Sequence, residues 1–278
     1  MLSQTCWLGY IEFDASCINA FKSLGGMLAI SSIEFRFLEQ AKKAGILPVG
    51  GKILEFGEAN TNRINAHKID VCASIISIMA DCAERESLLA RAEILQSHTD
   101  LESRYEEAKM LYKALFGYIS YTAIDLLPPA EYRLQQDLNK PFDLKTRYDV
   151  CINNGTTEHV FNQANCYEMI HNHTQAGGVM IHWTPCIGWV NHGLFHVQPG
   201  FFYDLAQANG YEIRFAKLAT VAALYDLKPG GVNEDVFTAH PDLRNALACV
   251  VLRKTVDAPF KFPLQGKYSE LSQYLGED

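Results

Sequence analysis

Apolar and polar positions are ordered most clearly between Tyr148 and Pro185. A short apolar run (Tyr148, Val150, Ile152) stops at the polar cluster Asn153, Asn154, Gly155, Thr156 and Thr157, the pattern of a buried strand ending in a loop. A polar helical run follows. Gly177-Gly178 then restarts the chain into Val179, Met180 and Ile181, a second buried strand that ends at Trp183, Thr184 and Pro185. Strand, helix, strand without room for a hairpin predicts a right-handed crossover and a parallel pair. Ligands of open parallel sheets bind outside the carboxyl ends of the strands, so both polar-aromatic clusters are expected to face one crevice.

The flanking chain extends this pattern. Residues 15–45 carry apolar groups at helical spacing, Phe21, Leu24 and Leu28 and then Ile33, Phe37 and Ala41, with a break expected at Gly25-Gly26. Lys52 to Phe56 reads as a strand, and Gly57 stands where it must turn sharply, a place for positive φ and close ligand approach. From Asp70 the pattern is helical, with Val71, Ile75, Ile78, Met79 and Cys82 on one face. A second helix is expected from about Leu101 to Phe116, with a charged, solvated hairpin between the two. Tyr121 to Ile124, followed by Asp125, and Tyr132 to Leu134, followed by Asp137, predict two more strands, separated by a loop at Pro128-Pro129. Phe201 to Asn209 predicts a helix closed by Gly210. Tyr211 to Leu218 and Ala246 to Arg253 predict late strands, joined through a turn at Lys228 to Gly231 and able to pair antiparallel at a sheet edge.

Composition narrows the class. A chain of 278 residues with 48% apolar content can bury one large core. Its 32 acidic against 24 basic residues give a net charge of −8, which argues against a nucleic-acid partner. The start, MLSQTCWLGYIEFD, lacks the pattern of a signal peptide and no apolar run approaches a membrane span, so a cytoplasmic protein without a membrane partner is expected. The eight cysteines are scattered without a C-x-x-C pair and are read as reduced thiols.

Acids or polar loops thus stand at the carboxyl ends of the first four strands. With them the chain resembles the S-adenosylmethionine-dependent methyltransferases of the Rossmann-like (class I) family, as a divergent member, over about Gly51 to Thr255. The resemblance implies an α/β fold: a seven-stranded, mostly parallel sheet with helices on both faces. It leaves residues 1–50 as an amino-terminal helical segment that either forms a lid or packs on the sheet edge. The cofactor-binding domain then spans 51–278, with a helical insertion at about 68–117.

Through the resemblance, Glu55-Phe56-Gly57-Glu58-Ala59-Asn60-Thr61 stands for the family's glycine loop, with Ala59 and Thr61 replacing glycines. That loop implies backbone N–H groups near a helix start for the methionyl carboxylate, and Glu55 near the ammonium. Asp125 is implied as acceptor for both ribose hydroxyls, although it lies farther along the chain than the family's usual spacing, and Asp137 as acceptor for the adenine amine. Asn153, Asn154 and Gly155 open the fourth motif, and Gly177-Gly178 precedes the next strand. The implied activity is O- or N-methylation of a small molecule with S-adenosyl-L-methionine as cofactor, and a homodimer fits as an assembly. A lyase or cyclase using the same cofactor, a non-catalytic binding module and a nicotinamide dehydrogenase stand as alternatives.

Six of the nine histidines fall between 159 and 196. His171 and His173, two apart on a helix, face different ways. A metal set of His182, His192 and His196 lacks an obvious carboxylate, so no metal is expected. For proton removal from an acceptor the candidates are His159, then His192 and His196, with Glu158 either an acid of the site or a helix-start residue. Trp183 and Phe195 are the candidate acceptor-pocket aromatics.

Overall fold

The computed structural model describes residues 29–63, 67–228, 236, 239–240 and 245–268. The predicted break at Gly25-Gly26, the helix before it and most of the turn at Lys228 to Gly231 lie outside these residues. In chain order the elements begin with β1 (Ala29–Ile30), α1 (Ser32–Lys43), β2 (Lys52–Phe56) and β3 (Asn60–Thr61). Three helices follow, α2 (Val71–Ile78), α3 (Ala83–Gln96) and α4 (Leu101–Phe116), and then β4 (Ser120–Asp125), β5 (Arg133–Gln135) and β6 (Tyr148–Asn154). After a short 3-10 turn at Thr157–His159 come α5 (Gln163–His173), β7 (Thr174–Ile187), α6 (Gly200–Asn209), β8 (Glu212–Ala219), β9 (Leu224–Asp226) and β10 (Ala246–Arg253).

Eight strands form the main sheet, in the order β5-β4-β2-β6-β7-β10-β8-β9, one more than expected because of the short edge strand β9. The first five are mutually parallel. β10 enters antiparallel to both β7 and β8, so the late pair is formed but β10 lies inside the sheet. The chain starts this sheet at β2, winds outward through β4 and β5, then returns to β2's other side with β6. That reversal is the switch point at which α/β sheets bind ligands.

Period-two alternation divides the strands between two cores. One face sends Ile53, Ala123, Val150, Ile152 and Ile181 against α1, α2 and α4. The other sends Leu54, Phe56, Ile124, Cys151 and Met180 against α5 and α6. α1 begins with a reciprocal capping box between Ser31 and Glu34 and buries Ile33, Phe37 and Ala41, as their spacing predicts. Phe37 meets Phe215 of β8 and Trp183 of β7. α4 and α6 end at Gly117 and Gly210, both left-handed. The six described cysteines are free thiols. Among the described residues no helix is long and apolar enough to cross a membrane.

Candidate functional site

At the switch point, loops following four parallel strands enclose a cavity of about 210 Å³. It is lined by Gly57 after β2, by Asp125 and Leu126 at the end of β4, by Gln136 to Asn139 after β5, and by Thr156, His159 and Val160 after β6. Gly57, Asp125, Asp137 and His159, far apart in sequence, therefore share one wall-to-wall space. Asp125 is half-buried, and each oxygen already accepts one backbone N–H, from Glu58 at 2.9 Å and Leu127 at 3.0 Å. A carboxylate has about four acceptor positions, so acceptor capacity remains. Burial raises the Asp125 pKa, against the pull of those two N–H groups. Asp137 is held below the ordinary carboxylate range by the Asn139 backbone N–H.

Gly57 has φ +82°, and a Cβ there would overlap Thr156 Oγ1 and lie 2.9 Å from Thr156 Cγ2. Glycine at this position is thus required by the backbone and by the close approach of Thr156. Its amide donates to Ile124 O at 2.7 Å, tying the β2 loop to β4. Glu58 carries no sequence signal of its role. It is buried, pairs with Lys109 of α4 at 2.7 Å and with Arg133 of β5, and braces the loop whose amide reaches Asp125.

Other predicted positions lie elsewhere. Alternation turns Glu55 away from the cavity into the core beneath α4, where it is fully buried and accepts from Tyr112 Oη, Tyr121 Oη and the Ala59 amide. Burial pushes its pKa up to about 7. Ala59 also packs in that core. No helix starts at the glycine loop, because Asn60 and Thr61 pair in parallel with Ala29 and Ile30; the next helix starts at Val71, capped by Asp70. The expected helix-start amides are therefore replaced by a strand. Asn153 caps the turn after β6, accepting from the Thr156 and Thr157 amides and donating to Thr157 Oγ1 at 3.0 Å. Asn154 and Gly155 do not line the cavity, and the Gly155 amide is bonded to Trp183 O.

His171, His173 and His182 are buried, His159 and His192 half-buried and His196 exposed. His171 bonds to Tyr211 and Ala258 O, and His173 to Met169 O and the Leu144 amide. His182 faces Asn153 and is so buried that its pKa falls to about 3. Trp183 is buried against Phe37, so it forms core. Phe195 and His196 line a separate, mostly apolar groove of about 450 Å³ with Tyr167, Phe201 and Phe260. His182, His192 and His196 are not the set that converges.

Among the described residues the group that does converge is Glu158, His159 and His192, whose ligand-capable atoms lie within 4.8 Å of one another. Glu158 is fully buried, yet neither carboxylate oxygen has a hydrogen-bond partner in the chain. His192 Nε2 stands 3.5 Å from Glu158 Oε1, within ion-pair reach but unaligned for a hydrogen bond. The rings of His159 and His192 are 5.1 Å apart. The Leu194 and Phe195 amides both donate to Glu158 O, at 2.8 and 3.1 Å, and staple the 189–195 loop to the turn after β6. His159 carries an unpartnered Nε2, and burial lowers its pKa against the opposing charge of Glu158. Further buried polar atoms without partners in the chain lie at the end of β6, in the turn after it and along the neighbouring part of β7: Asn154 Nδ2, Thr156 Oγ1, His182 Nε2, Trp183 Nε1 and Thr184 Oγ1.

No protein-family profile and no curated sequence matches the chain. Solved structures similar to it include a SAM-dependent methyltransferase from Thiobacillus denitrificans in complex with S-adenosyl-L-homocysteine, at 12% identity over 87% of this chain and 100% of that one, with a TM-score of 0.42. A corresponding complex from Geobacter sulfurreducens is similar at 13% identity over 85% and 97%, with a TM-score of 0.40. The 1,6-didemethyltoxoflavin-N1-methyltransferase of Burkholderia thailandensis is similar at 11% over 87% and 85%, with a TM-score of 0.37. The strand order makes this chain an α/β protein with a doubly wound, mostly parallel sheet.

Proposed function

We propose that this protein is an S-adenosylmethionine-dependent methyltransferase acting on a small molecule. The observation that carries the reading is the cavity at the switch point, where Gly57, Asp125, Asp137 and His159 arrive from four successive strand ends. The residues fit the adenosyl half of the cofactor. Asp125 offers free acceptor positions on both oxygens for a vicinal diol, and Asp137, partly exposed, with two Asn139 donors on one oxygen and Lys140 3.5 Å from the other, retains acceptor positions for an amine. They do not supply the family's usual grip on the methionyl half, since Glu55 is turned into the core and no helix opens at the loop. The cavity lies below the range of about 300–1,000 Å³ typical of sites for whole drug-sized ligands, in keeping with a fit to the adenosyl part.

When bound, the cofactor supplies an electrophilic methyl group. The chain's own part is to align an acceptor, exclude water and manage its proton. His159 is the imidazole that faces the cavity, while the groove with Phe195 offers an apolar surface for an acceptor ring. A second reading, binding without transfer, is favoured by the loop that runs into β3 in place of a helix. Incubation with S-adenosylmethionine and hydroxyl, phenol and amine acceptors separates the readings. Transfer yields S-adenosylhomocysteine, a binding module yields no product, and methylthioadenosine would assign the lyase alternative.

A further inference from the structure

We propose that Glu158, His159 and His192 form a binding site for one divalent first-row transition cation at the edge of the cavity. A buried carboxylate with two unpartnered oxygens is costly unless a positive charge meets it, and among the described residues no Lys or Arg pairs with it. Two imidazoles and one carboxylate are a borderline-soft, mixed N/O donor set of the kind that holds zinc, cobalt or ferrous iron with coordination positions left open. The 3.5 Å between Glu158 Oε1 and His192 Nε2 is close to the roughly 3.3 Å edge of a tetrahedron with bonds of about 2.0–2.1 Å. The ligand-capable atoms of all three residues lie within 4.8 Å of one another, and His159 lies at the cavity wall.

The backbone is arranged for this convergence. Gly193 lets the loop approach Glu158, since a Cβ there would lie 3.0 Å from Glu158 O and 3.1 Å from its Cγ. Trp189, on the amino-terminal side of His192, takes a positive φ of 54°, a conformation that a bulky side chain adopts only under surrounding constraint, and Asn191, a residue type that tolerates the left-handed region, follows at 64°. Because His159 belongs to both groups, an ion held here presents its open positions beside the cavity, where a Lewis acid would lower the pKa of an acceptor hydroxyl. Cation binding itself does not depend on the methyltransferase reading.

The test uses the full chain, freed of metal by chelator dialysis and titrated with Co²⁺ in the absence of S-adenosylmethionine. Visible absorption reports coordination, and elemental analysis after Zn²⁺ loading reports stoichiometry. One equivalent with a low-symmetry cobalt spectrum is expected, weakened at least about 100-fold by Glu158→Gln and by His192→Ala and unchanged by His98→Ala at an exposed histidine. Metal-free Glu158→Gln should be at least as stable as the metal-free wild type, because it removes an unpaired buried charge, and Zn²⁺ should raise Tm only in the wild type. Absence of stoichiometric binding, or binding indifferent to both site variants, would overturn the proposal whatever the outcome for S-adenosylmethionine.

Discussion

The backbone N–H of Glu58 donates to Asp125 Oδ2 over 2.9 Å, joining the loop after the first strand of the sheet to the end of its neighbour. Glu58 is itself held between Lys109 and Arg133, so one buried ion triad sets the position of the carboxylate that faces the cavity. Removing the anion deprives the largely buried Arg133 of its carboxylate and leaves Lys109 paired with Glu106 alone, at 3.2 Å. Glu58→Ala should therefore cost about 3–5 kcal/mol in chemical denaturation and weaken adenosyl binding in the fraction that remains folded.

Gly57→Ala should be more damaging than its size suggests. The substitution forces a side chain into positive φ and into Thr156, so a fall in stability well beyond about 1 kcal/mol is expected by thermal unfolding. Thr156→Ala removes the overlapping oxygen and should recover part of that loss in the double variant.

Glu55 predicts a pH dependence of stability. Its folded pKa of about 7 lies above the ordinary value of 4.5, so the folded state holds the proton more tightly than the unfolded chain. The stabilising contribution is complete below about pH 4.5 and is lost as pH rises through 7. Glu55→Gln should flatten the fall in stability between pH 5 and 8 measured by urea denaturation, while leaving ligand affinity unchanged.

His159 predicts the opposite direction for activity. Burial lowers its pKa from 6.5, and it must be neutral either to take a proton or to ligate a cation. Activity should fall on acidification with a midpoint below 6.5 and be flat near neutral pH. His159→Ala should lower kcat by about 10²–10⁴ if the imidazole takes part directly in the reaction.

Much of this site was legible because strands that end at polar residues announce themselves. Lys52 to Phe56 and Ala246 to Arg253 are apolar runs with the observed bounds, and Asp125, Asp137 and His159 follow their strands closely enough for topology to bring them together. What stayed hidden depends on facing and on loops. Sequence alone does not say which face of β2 lies under α4, so the motif puts Glu55 beside a ligand, whereas Tyr112 and Tyr121 enclose it. The two-residue pairing of β3 with β1 leaves no periodic trace and displaces the expected helix start. Glu158 and His192 meet only because backbone bonds fold the 189–195 loop over the turn after β6, a contact that residue spacing does not encode.

The most direct measurement is a calorimetric titration of the wild type, Asp125→Asn and Glu55→Gln with S-adenosylhomocysteine. Saturable one-site binding is expected, weakened about 10-fold or more when Asp125 loses a carboxylate oxygen and unaffected by Glu55→Gln. An absence of binding, or equal affinity in the wild type and Asp125→Asn, would contradict the assignment of this cavity to an adenosyl group.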